Sequence, residues 1–228
     1  MLERVLERAR AAAARGVVVF DLDSTLLDNR PRQAVILSEF GRVRQLAALE
    51  NARPEHWDGW EIRRAMANAG LSPVDVDRYA EDAKAFWRER FFTSEYCRLD
   101  GAVAGARDFV DAIARAGAQI AYCTGRHEAM RAGTVECFAR LGFPLPGAGV
   151  HLLMKPTFEQ SDDDWKAAAY ARLGAIGGVL AVFDNEPTHV NGYRAAFPDA
   201  LCVHLATDDS GRPVALSDGI LSVHDFRR

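Results

Sequence analysis

Lysine is scarce in this sequence. Of its 228 residues, 28 are positively charged, and only three of these are lysines: Lys84, Lys155 and Lys166. The 32 acidic residues bring the formal net charge to −4, so the chain lacks the broad positive field expected of a duplex-DNA-binding protein. Because lysine is a compact point charge and arginine a planar fork, each lysine in so arginine-rich a chain is a candidate for a specific role.

The sequence also has few cysteines and no long apolar segment. Its four cysteines, Cys97, Cys123, Cys137 and Cys202, form no CxxC pair, and a chain of this length needs no disulfides, so we expect reduced thiols. No stretch approaches the roughly 20 apolar residues that span a bilayer. Charges recur every few residues at the N-terminus, unlike in a signal peptide. These features predict a cytoplasmic protein without membrane contact.

Strand-like and helix-like segments alternate along most of the chain. The segment GVVVFDLD at 16–23 is apolar up to its acidic end, as in a parallel strand buried on both faces. Further strands are predicted over 118–124, 149–154, 177–184 and 200–206, and helices over 1–15, 103–116, 127–141, 162–173 and 187–196. This alternation predicts βαβ units, and hence an α/β fold with a Rossmann-like parallel sheet between helices.

One long segment interrupts this alternation directly after the first strand. Residues 29–97 have mostly helical patterns, punctuated by Gly70 and Pro73 among others. An insertion at this position is typical of a cap, so we predict a core over 1–28 and 98–228 and a helical cap over 29–97. We interpret its large aromatic residues mainly as the core of the cap; they are Trp57, Trp60, Phe86, Trp87, Phe91 and Phe92.

Polar side chains follow the predicted strands at their carboxyl ends, where ligands bind in open α/β sheets. These segments are Asp21-Leu22-Asp23-Ser24-Thr25, Cys123-Thr124-Gly125-Arg126, Met154-Lys155-Pro156 and Asp184-Asn185-Glu186-Pro187. Carboxylates gathered at one edge raise one another's pKa unless a cation lies among them. Because an all-oxygen ligand set suits Mg²⁺, the sequence predicts a magnesium site at this edge of the sheet.

These segments resemble the motifs of the haloacid dehalogenase superfamily, specifically its phosphohydrolases, and the resemblance covers the whole chain. The signature Asp-x-Asp-x-Thr appears as Asp21-Leu22-Asp23-Ser24-Thr25, followed in order by Thr124, a lysine and Asp184. The resemblance implies the corresponding α/β fold with a helical cap. It also implies a Mg²⁺-dependent phosphatase that hydrolyses phosphate monoesters of small metabolites through an aspartyl-phosphate intermediate.

The resemblance also implies catalytic and substrate-binding roles. Asp21 would be the nucleophile that takes the phosphoryl group, and Asp23 would protonate the leaving oxygen and then activate water. Thr124 and the backbone of Gly125 would hold phosphate oxygens, and Arg126 is a further candidate for substrate contact. Asp23 itself separates this pattern from the dehalogenases, which lack the second aspartate, and from the ion-pumping ATPases, which carry lysine there.

For the metal, the resemblance implies ligation by Asp21, by the backbone carbonyl of Asp23 and by Asp184. Asn185 stands where many members of the superfamily have a second acidic residue. It is a candidate to hold a metal-bound water, and Glu186 is the alternative.

Two lysines compete for the third motif, whose lysine neutralises charge on the transferring group. Lys155 lies at a predicted strand end and Lys166 near the start of the next helix. This spacing resembles the phosphatase part of polynucleotide kinase/phosphatases. We favour Lys166 as the catalytic lysine and expect both lysines near the phosphate, with Lys155 binding substrate.

Two other functions stay open from the sequence alone. The same chemistry could act on a polynucleotide end or a phosphoprotein, which the lysine spacing and the Asp184-Asn185 pair favour. The acidic net charge and the bulky insert oppose that alternative. A non-catalytic binding protein on the same fold is the second alternative, and the four filled motif positions oppose it.

Overall fold

A six-stranded parallel sheet forms the centre of this computed structural model, which describes residues 1–227. The strands in chain order are β1 (Gly16–Phe20), β2 (Leu27–Asp28), β3 (Gly101–Ala102), β4 (Gln119–His127), β5 (Val150–Lys155), β6 (Gly178–Asp184), β7 (Leu201–Leu205) and β8 (Leu221–Val223). The sheet has the order β5-β4-β1-β6-β7-β8, and β2 pairs antiparallel with β3. The predicted α/β fold with a Rossmann-like sheet is confirmed.

Helices connect these strands. They are α1 (Leu2–Ala12), α2 (Arg30–Arg44), α3 (Ala47–Glu50), α4 (Ile62–Asn68), α5 (Pro73–Phe91), α6 (Ser94–Cys97), α7 (Ala106–Arg115), α8 (Arg131–Leu141), α9 (Asp162–Ile176) and α10 (Pro187–Ala196). Helix α9 begins where the sequence predicted, because the Ser161 side chain accepts the N–H of Asp164. In the described part of the chain, no helix is both long and apolar enough to cross a membrane.

Strand β1 is buried on both faces, as its apolar sequence predicts. Val18 and Phe20 belong to a hydrophobic cluster on one face of the sheet, which includes side chains of α1, α7 and α8. Val17 and Val19 belong to a second cluster, which includes side chains of α9 and α10. The alternation follows from the two-residue period of a strand. The end of β1, where Asp21 follows, is therefore held between two packed layers.

Helices α2 to α5 form a block with a hydrophobic cluster of its own, whereas Cys97 of α6 belongs to the cluster on the sheet. Phe40, Leu49, Trp57 and Met66 are among its buried residues. The chain enters and leaves this helical block through the β2–β3 pair, where Leu27 lies opposite Ala102 and Asp28 opposite Gly101. Helices α2 to α5 thus pack largely on one another, while α6 and Phe92 pack against the core.

The structure differs from the predicted elements around β4. This strand continues to His127 instead of ending at Thr124, and α8 begins only at Arg131 after a short 3₁₀ turn. The pairing with β5 shifts register between Thr124 and His127, so that His127 pairs with Lys155. A bulge of this kind re-aims side chains at a strand end, and it makes Arg126 part of the strand.

Candidate active site

The first motif forms a tight turn directly after β1. The N–H groups of Thr25, Leu26 and Leu27 all donate to the carbonyl of Leu22, at 3.1, 3.0 and 2.8 Å. Ser24 adopts a left-handed conformation with φ 58°, which ends the extended chain within the motif. The two carboxylates of the motif consequently take up different surroundings, although they lie only two residues apart.

Asp21, Lys166 and Asp184 form one group, called here the lysine cluster. Lys166 Nζ lies 2.6 Å from Oδ1 of Asp21 and 2.8 Å from Oδ2 of Asp184, and it also donates to the carbonyl of Cys123 at 2.8 Å. All three cluster side chains are buried. The geometry therefore places Lys166, on the first turns of α9, between the end of β1 and the end of β6.

The lysine cluster holds more negative than positive charge. Burial raises the pKa of Asp21 to about 7; Lys166 opposes that rise and the charge of Asp184 adds to it. Burial would also raise the pKa of Asp184, but Lys166 and His189 outweigh it and lower that pKa. Burial disfavours the charge of Lys166, yet the two carboxylates raise its pKa well above the ordinary value. Lys166 therefore stays protonated, and the pKa of Asp21 stays raised, chiefly because its carboxylate is buried.

Asp23, Arg32, Asp100 and Arg126 form a second group, called here the arginine cluster. Arg126 Nε lies 3.1 Å from both oxygens of Asp23, and its Nη2 lies 2.6 Å from Asp23 Oδ1 and 2.5 Å from Asp100 Oδ2. Arg32 Nη2 lies 3.0 Å from Asp23, and its Nε forms an ion pair with Asp100 at 2.9 Å. Two carboxylates thus face two guanidinium groups.

These ion pairs keep Asp23 in its charged form. Burial alone would raise the pKa of Asp23, but Arg126 and Arg32 outweigh it and lower the pKa to about 2. Asn29 contributes a hydrogen bond from Nδ2 at 2.9 Å. The environments of Asp21 and Asp23 therefore shift their pKa values in opposite directions.

A pocket of about 410 Å³ lies between the core and the helical block. Asp21, Asp23, Gly125 and Lys166 line it from the core. Four aromatic side chains line it from the helical block: Trp60, Trp87, Phe91 and Phe92. The interpretation of the aromatic residues as cap core is thus correct for Trp57 and incomplete for these four.

Thr124 and Gly125 lie at the end of the strand where the sequence placed them. Thr124 is buried in β4, and its hydroxyl accepts the N–H of Arg126 at 3.1 Å. Gly125 lines the pocket, and a Cβ there would lie 2.7 Å from the carboxylate of Asp162. Position 125 therefore has room only for glycine unless Asp162 moves. Phosphate contact by either residue stays a prediction.

Arg126 and Lys155 both have acidic partners. Arg126 lines the pocket, and its guanidinium donates to Asp23, Asp100 and Thr134, so it holds Asp23 in place. Substrate contact by Arg126 stays a prediction. Lys155 pairs with Asp162 at 2.7 Å and is not among the described residues that line the pocket. Of the two lysines, Lys166 contacts the predicted nucleophile, and Lys155 contacts Asp162, which lines the pocket. That both lysines lie near a bound phosphate stays a prediction.

Asn185 and Glu186 are both engaged by neighbouring residues. Oδ1 of Asn185 accepts the hydroxyl of Thr25 at 3.1 Å, and its Nδ2 donates to the carbonyl of Asp208 at 2.7 Å. The carboxylate of Glu186 accepts the N–H and the hydroxyl of Ser210, at 2.6 and 2.9 Å. Both residues line the pocket, and the choice between them at a metal-bound water stays a prediction.

The lysine cluster fits a magnesium ion in charge and in donor type. Lys166 occupies one oxygen of each carboxylate, and Oδ2 of Asp21 has no hydrogen-bond partner within residues 1–227. Two carboxylates against one ammonium leave one surplus negative charge, and oxygen donors suit Mg²⁺. No three acidic, histidine or cysteine side chains of the described chain converge into a metal site. Backbone or amide oxygens would therefore have to complete the ligand set.

Sequence reasoning missed Arg32, Asp100 and His189. Arg32 has no distinguishing signal in so arginine-rich a chain, and a lone Asp100 before glycine is typical of a turn. His189 is the third residue of α10, with Nε2 2.9 Å from Asp163 and Nδ1 3.6 Å from Asp184. A histidine so soon after an acidic strand end is the one signal that could have identified it.

Comparison with solved structures finds chains of similar fold. The protein tyrosine kinase A (PtkA) of Mycobacterium tuberculosis matches at 17% identity and a TM-score of 0.57, over 92% of this chain and 94% of that chain. A HAD-superfamily hydrolase of subfamily IA, variant 1, from Geobacter sulfurreducens matches at 13% identity and a TM-score of 0.53, over 94% of each chain. A HAD hydrolase of family IA, variant 3, from Entamoeba histolytica matches at 17% identity and a TM-score of 0.51, over 92% of this chain and 93% of that chain.

At such identities these likenesses show the fold alone. The chain has a haloacid dehalogenase-like fold, as the order of its motifs predicts. No family model matches the sequence, and no curated protein matches it either.

Proposed function

We propose that this protein is a Mg²⁺-dependent phosphatase that hydrolyses phosphate monoesters of small molecules through a phosphorylated Asp21. The observation that carries the proposal is the lysine cluster at the pocket. Lys166 holds one oxygen of Asp21 at 2.6 Å, while the other oxygen has no partner in the described chain. A buried carboxylate with one anchored and one unpartnered oxygen is suited to nucleophilic attack.

In the first step, Oδ2 of Asp21 forms a bond to phosphorus as the bond to the leaving oxygen breaks, and that oxygen takes a proton from Asp23 or from solvent and departs as the alcohol. Lys166 stays protonated beside Asp21 and offsets negative charge that develops on the transferring group. In the second step, water attacks phosphorus, and the bond to Asp21 breaks, which releases inorganic phosphate and regenerates the carboxylate. The water's proton passes to a base at the pocket.

Asp23 is the base that the geometry favours for the second step. Its carboxylate lines the same pocket as Asp21, and Arg126 and Arg32 stabilise its ionised form. The same ion pairs disfavour the earlier role expected of Asp23, protonation of the leaving oxygen. The acid role thus requires that substrate or movement of the helical block loosen these contacts first.

Magnesium would be held by Asp21, the backbone carbonyl of Asp23 and Asp184, with Asn185 or Glu186 at a bound water. When bound, it would supply positive charge to Asp21 and to the oxygens of the phosphoryl group. The surplus negative charge of the lysine cluster and the raised pKa of Asp21 support this proposal.

The helical block serves, in this proposal, as a cap over 29–97 on a core formed by 1–28 and 98–228. The contacts between the helical block and the core near the pocket include the following three. Arg32 reaches Asp23 at 3.0 Å, the N–H of Gly59 donates to Asp208 at 3.1 Å, and the rings of Phe92 and Phe158 lie 5.0 Å apart. A covered pocket excludes water and suits small substrates better than polymer ends.

The test is a panel of phosphate monoesters assayed for phosphate release with Mg²⁺ and again with a chelator. We expect turnover that requires Mg²⁺ and returns when Mg²⁺ is restored. Full turnover in the chelator would overturn the metal requirement. No turnover of any ester with Mg²⁺, Mn²⁺ or Co²⁺ would overturn the phosphatase proposal itself.

A further inference from the structure

Four aromatic side chains of the helical block, Trp60, Trp87, Phe91 and Phe92, form what is called here the aromatic wall of the pocket. Phe91 lies at its centre. Its ring stacks on Trp87 with centroids 4.5 Å apart and an interplanar angle of 24°. It meets Trp60 and Phe92 edge-on at 5.4 and 5.1 Å. All four residues line the pocket that also contains Asp21.

The aromatic wall borders the hydrophobic core of the helical block. Trp57 is buried in that core, and Phe86 and Trp87 both pack against it, but of these three only Trp87 lines the pocket. Phe91 is instead fixed by Arg32, whose guanidinium lies 3.7 Å from the ring centroid and donates to the Phe91 carbonyl at 2.9 Å. The same Arg32 contacts Asp23 at 3.0 Å. Arg32 therefore connects Phe91 of the aromatic wall to Asp23 of the first motif.

Several polar side chains that line the pocket already have partners among residues 1–227. Asn185 is bonded to Thr25 and Asp208, Glu186 to Ser210, and His189 to Asp163. A sugar seated here would place several hydroxyls against aromatic rings, where desolvated hydroxyls without partners are unfavourable. A puckered alkyl ring would fill space without the stacking that flat rings gain.

We propose that the substrate's leaving group carries a single flat aromatic ring that seats against the aromatic wall while its phosphate lies at Asp21. This inference rests on the proposed phosphatase function. The volume of about 410 Å³ lies near the lower end of small-molecule sites, which span about 300 to 1,000 Å³. It suits one ring with one phosphate, and Trp60 and Trp87 are then the specificity-determining residues.

The test compares esters whose leaving groups have similar reactivity but different shape and polarity. Benzyl phosphate and cyclohexylmethyl phosphate are both esters of primary alcohols, and they differ in whether the six-membered ring is flat. We expect kcat/KM about tenfold higher for benzyl phosphate, the upper end of what one aromatic contact supplies. Ribose 5-phosphate is expected to fall below both.

A binding measurement keeps the inference separate from the phosphatase proposal. Benzylphosphonate and cyclohexylmethylphosphonate cannot be hydrolysed in this way, and calorimetry with Mg²⁺ gives their affinities directly. Preference for the benzyl compound without turnover of any ester would reject the phosphatase and keep the aromatic site. Turnover with equal kcat/KM and equal binding for the two rings would reject the aromatic site and keep the phosphatase.

Two variants locate the preference. Trp87→Leu keeps an apolar side chain and removes the ring, so the benzyl-to-cyclohexylmethyl ratio should fall to about 2 or less. Phe86→Leu, one residue earlier on α5 and packed against the block's own core, should leave the ratio unchanged. Equal ratios in wild type and Trp87→Leu, in both turnover and binding, would overturn the role of the wall.

Discussion

The lysine cluster and the arginine cluster begin two residues apart on the same turn, yet their charges are balanced differently. In the lysine cluster, Asp21 and Asp184 share one ammonium group, that of Lys166. In the arginine cluster, two carboxylates face two guanidinium groups, with nitrogen-to-oxygen distances of 2.5 to 3.1 Å. The three side chains of the lysine cluster therefore carry one more formal negative charge than positive charge, with His189 as a further neighbour of Asp184, whereas the formal charges of the arginine cluster balance.

This difference indicates a structural role for the arginine cluster and a chemical role for the lysine cluster. The arginine cluster joins the turn after β1, helix α2, the residue before β3 and strand β4 through Asp23, Arg32, Asp100 and Arg126. It ties the helical block to the core at the neck. The lysine cluster joins core elements, and one oxygen of Asp21 has no hydrogen-bond partner among residues 1–227. A cation and a phosphoryl group are what such a cluster can still accept.

The most severe test of the comparison is Asp21→Asn. We expect kcat to fall by at least about 10⁴-fold, because an amide is a poor nucleophile. The melting temperature without metal should not fall, since the change removes a carboxylate that Asp184 repels. Asp23→Asn, two residues along, should instead lower the melting temperature because two guanidinium groups lose their partner. Equal destabilisation by both variants would remove the distinction between the clusters.

Asp100→Asn tests the structural role of the arginine cluster. Asp100 is fully buried between Arg32 and Arg126, and loss of one partner from a buried ion pair costs about 3–5 kcal/mol of unfolding free energy. Urea denaturation measures the change. Asp111→Asn is the control, because Asp111 pairs with Arg115 on an exposed part of α7 and should cost less than about 1 kcal/mol. A similar small loss in both variants would contradict the account.

Lys166→Ala and Lys155→Ala test which lysine belongs to the reacting group. Loss of a charge that follows the transferring phosphoryl group costs about 3–4 kcal/mol, so kcat should fall on the order of 100- to 1,000-fold for Lys166→Ala. Lys155 pairs with Asp162, and its loss should change KM slightly. Lys166→Arg should recover part of the rate. A severe Lys155→Ala with a mild Lys166→Ala would reverse the assignment.

The pH dependence of stability gives the smallest expected effect. The pKa of Asp21 is raised by burial to about 7, above its ordinary value near 4, so the folded state binds a proton that the unfolded state releases. Its contribution therefore falls as pH rises from about 4 to about 7. His189, whose raised pKa reflects Asp184 outweighing burial, acts in the same direction. Stability of the metal-free wild type should decline by about 2 kcal/mol between about pH 5 and pH 8.

Asp21→Asn isolates the contribution of Asp21 to that decline. The variant should show a shallower slope over the same range, and excess Mg²⁺ should flatten the slope of the wild type. At lower pH the dependence has the opposite direction. The pKa of Asp23 is lowered to about 2, so its contribution to stability is lost as pH falls below about 4. Parallel slopes for wild type and variant between pH 5 and pH 8 would show that the pKa of Asp21 is not raised in the folded state.

Elements with a strong period were predictable from sequence, and those set by distant contacts were not. Helix α10 has the predicted bounds, 187–196, because Pro187 opens it directly after an acidic strand end. Strand β8 was missed, since its short segment 221–223 is partly exposed and has no apolar run. The extension of β4 depends on a register shift against β5, which no local pattern specifies.

The same division holds within the site. Asp21, Asp23 and Asp184 could be placed because parallel strands end at one edge of a sheet. The arginine cluster could not, because the pairing of Arg32 with Asp23 and Asp100 depends on how the helical block folds back. The contacts of Lys155 and Lys166 likewise depend on the tertiary structure, because β5 places Lys155 beside Asp162 and α9 places Lys166 beside Asp21. Which lysine acts on the phosphoryl group stays a prediction.

Mapping of the phosphorylated residue tests the central claim most directly. Wild-type protein and Asp23→Asn, whose base is removed, are mixed with Mg²⁺ and a phosphate ester labelled at phosphorus, quenched in acid and digested. The account predicts hydroxylamine-labile label on Asp21 that accumulates further in Asp23→Asn and is absent from Asp21→Asn. Label on another residue, or turnover by wild type with no label in either protein, would contradict it.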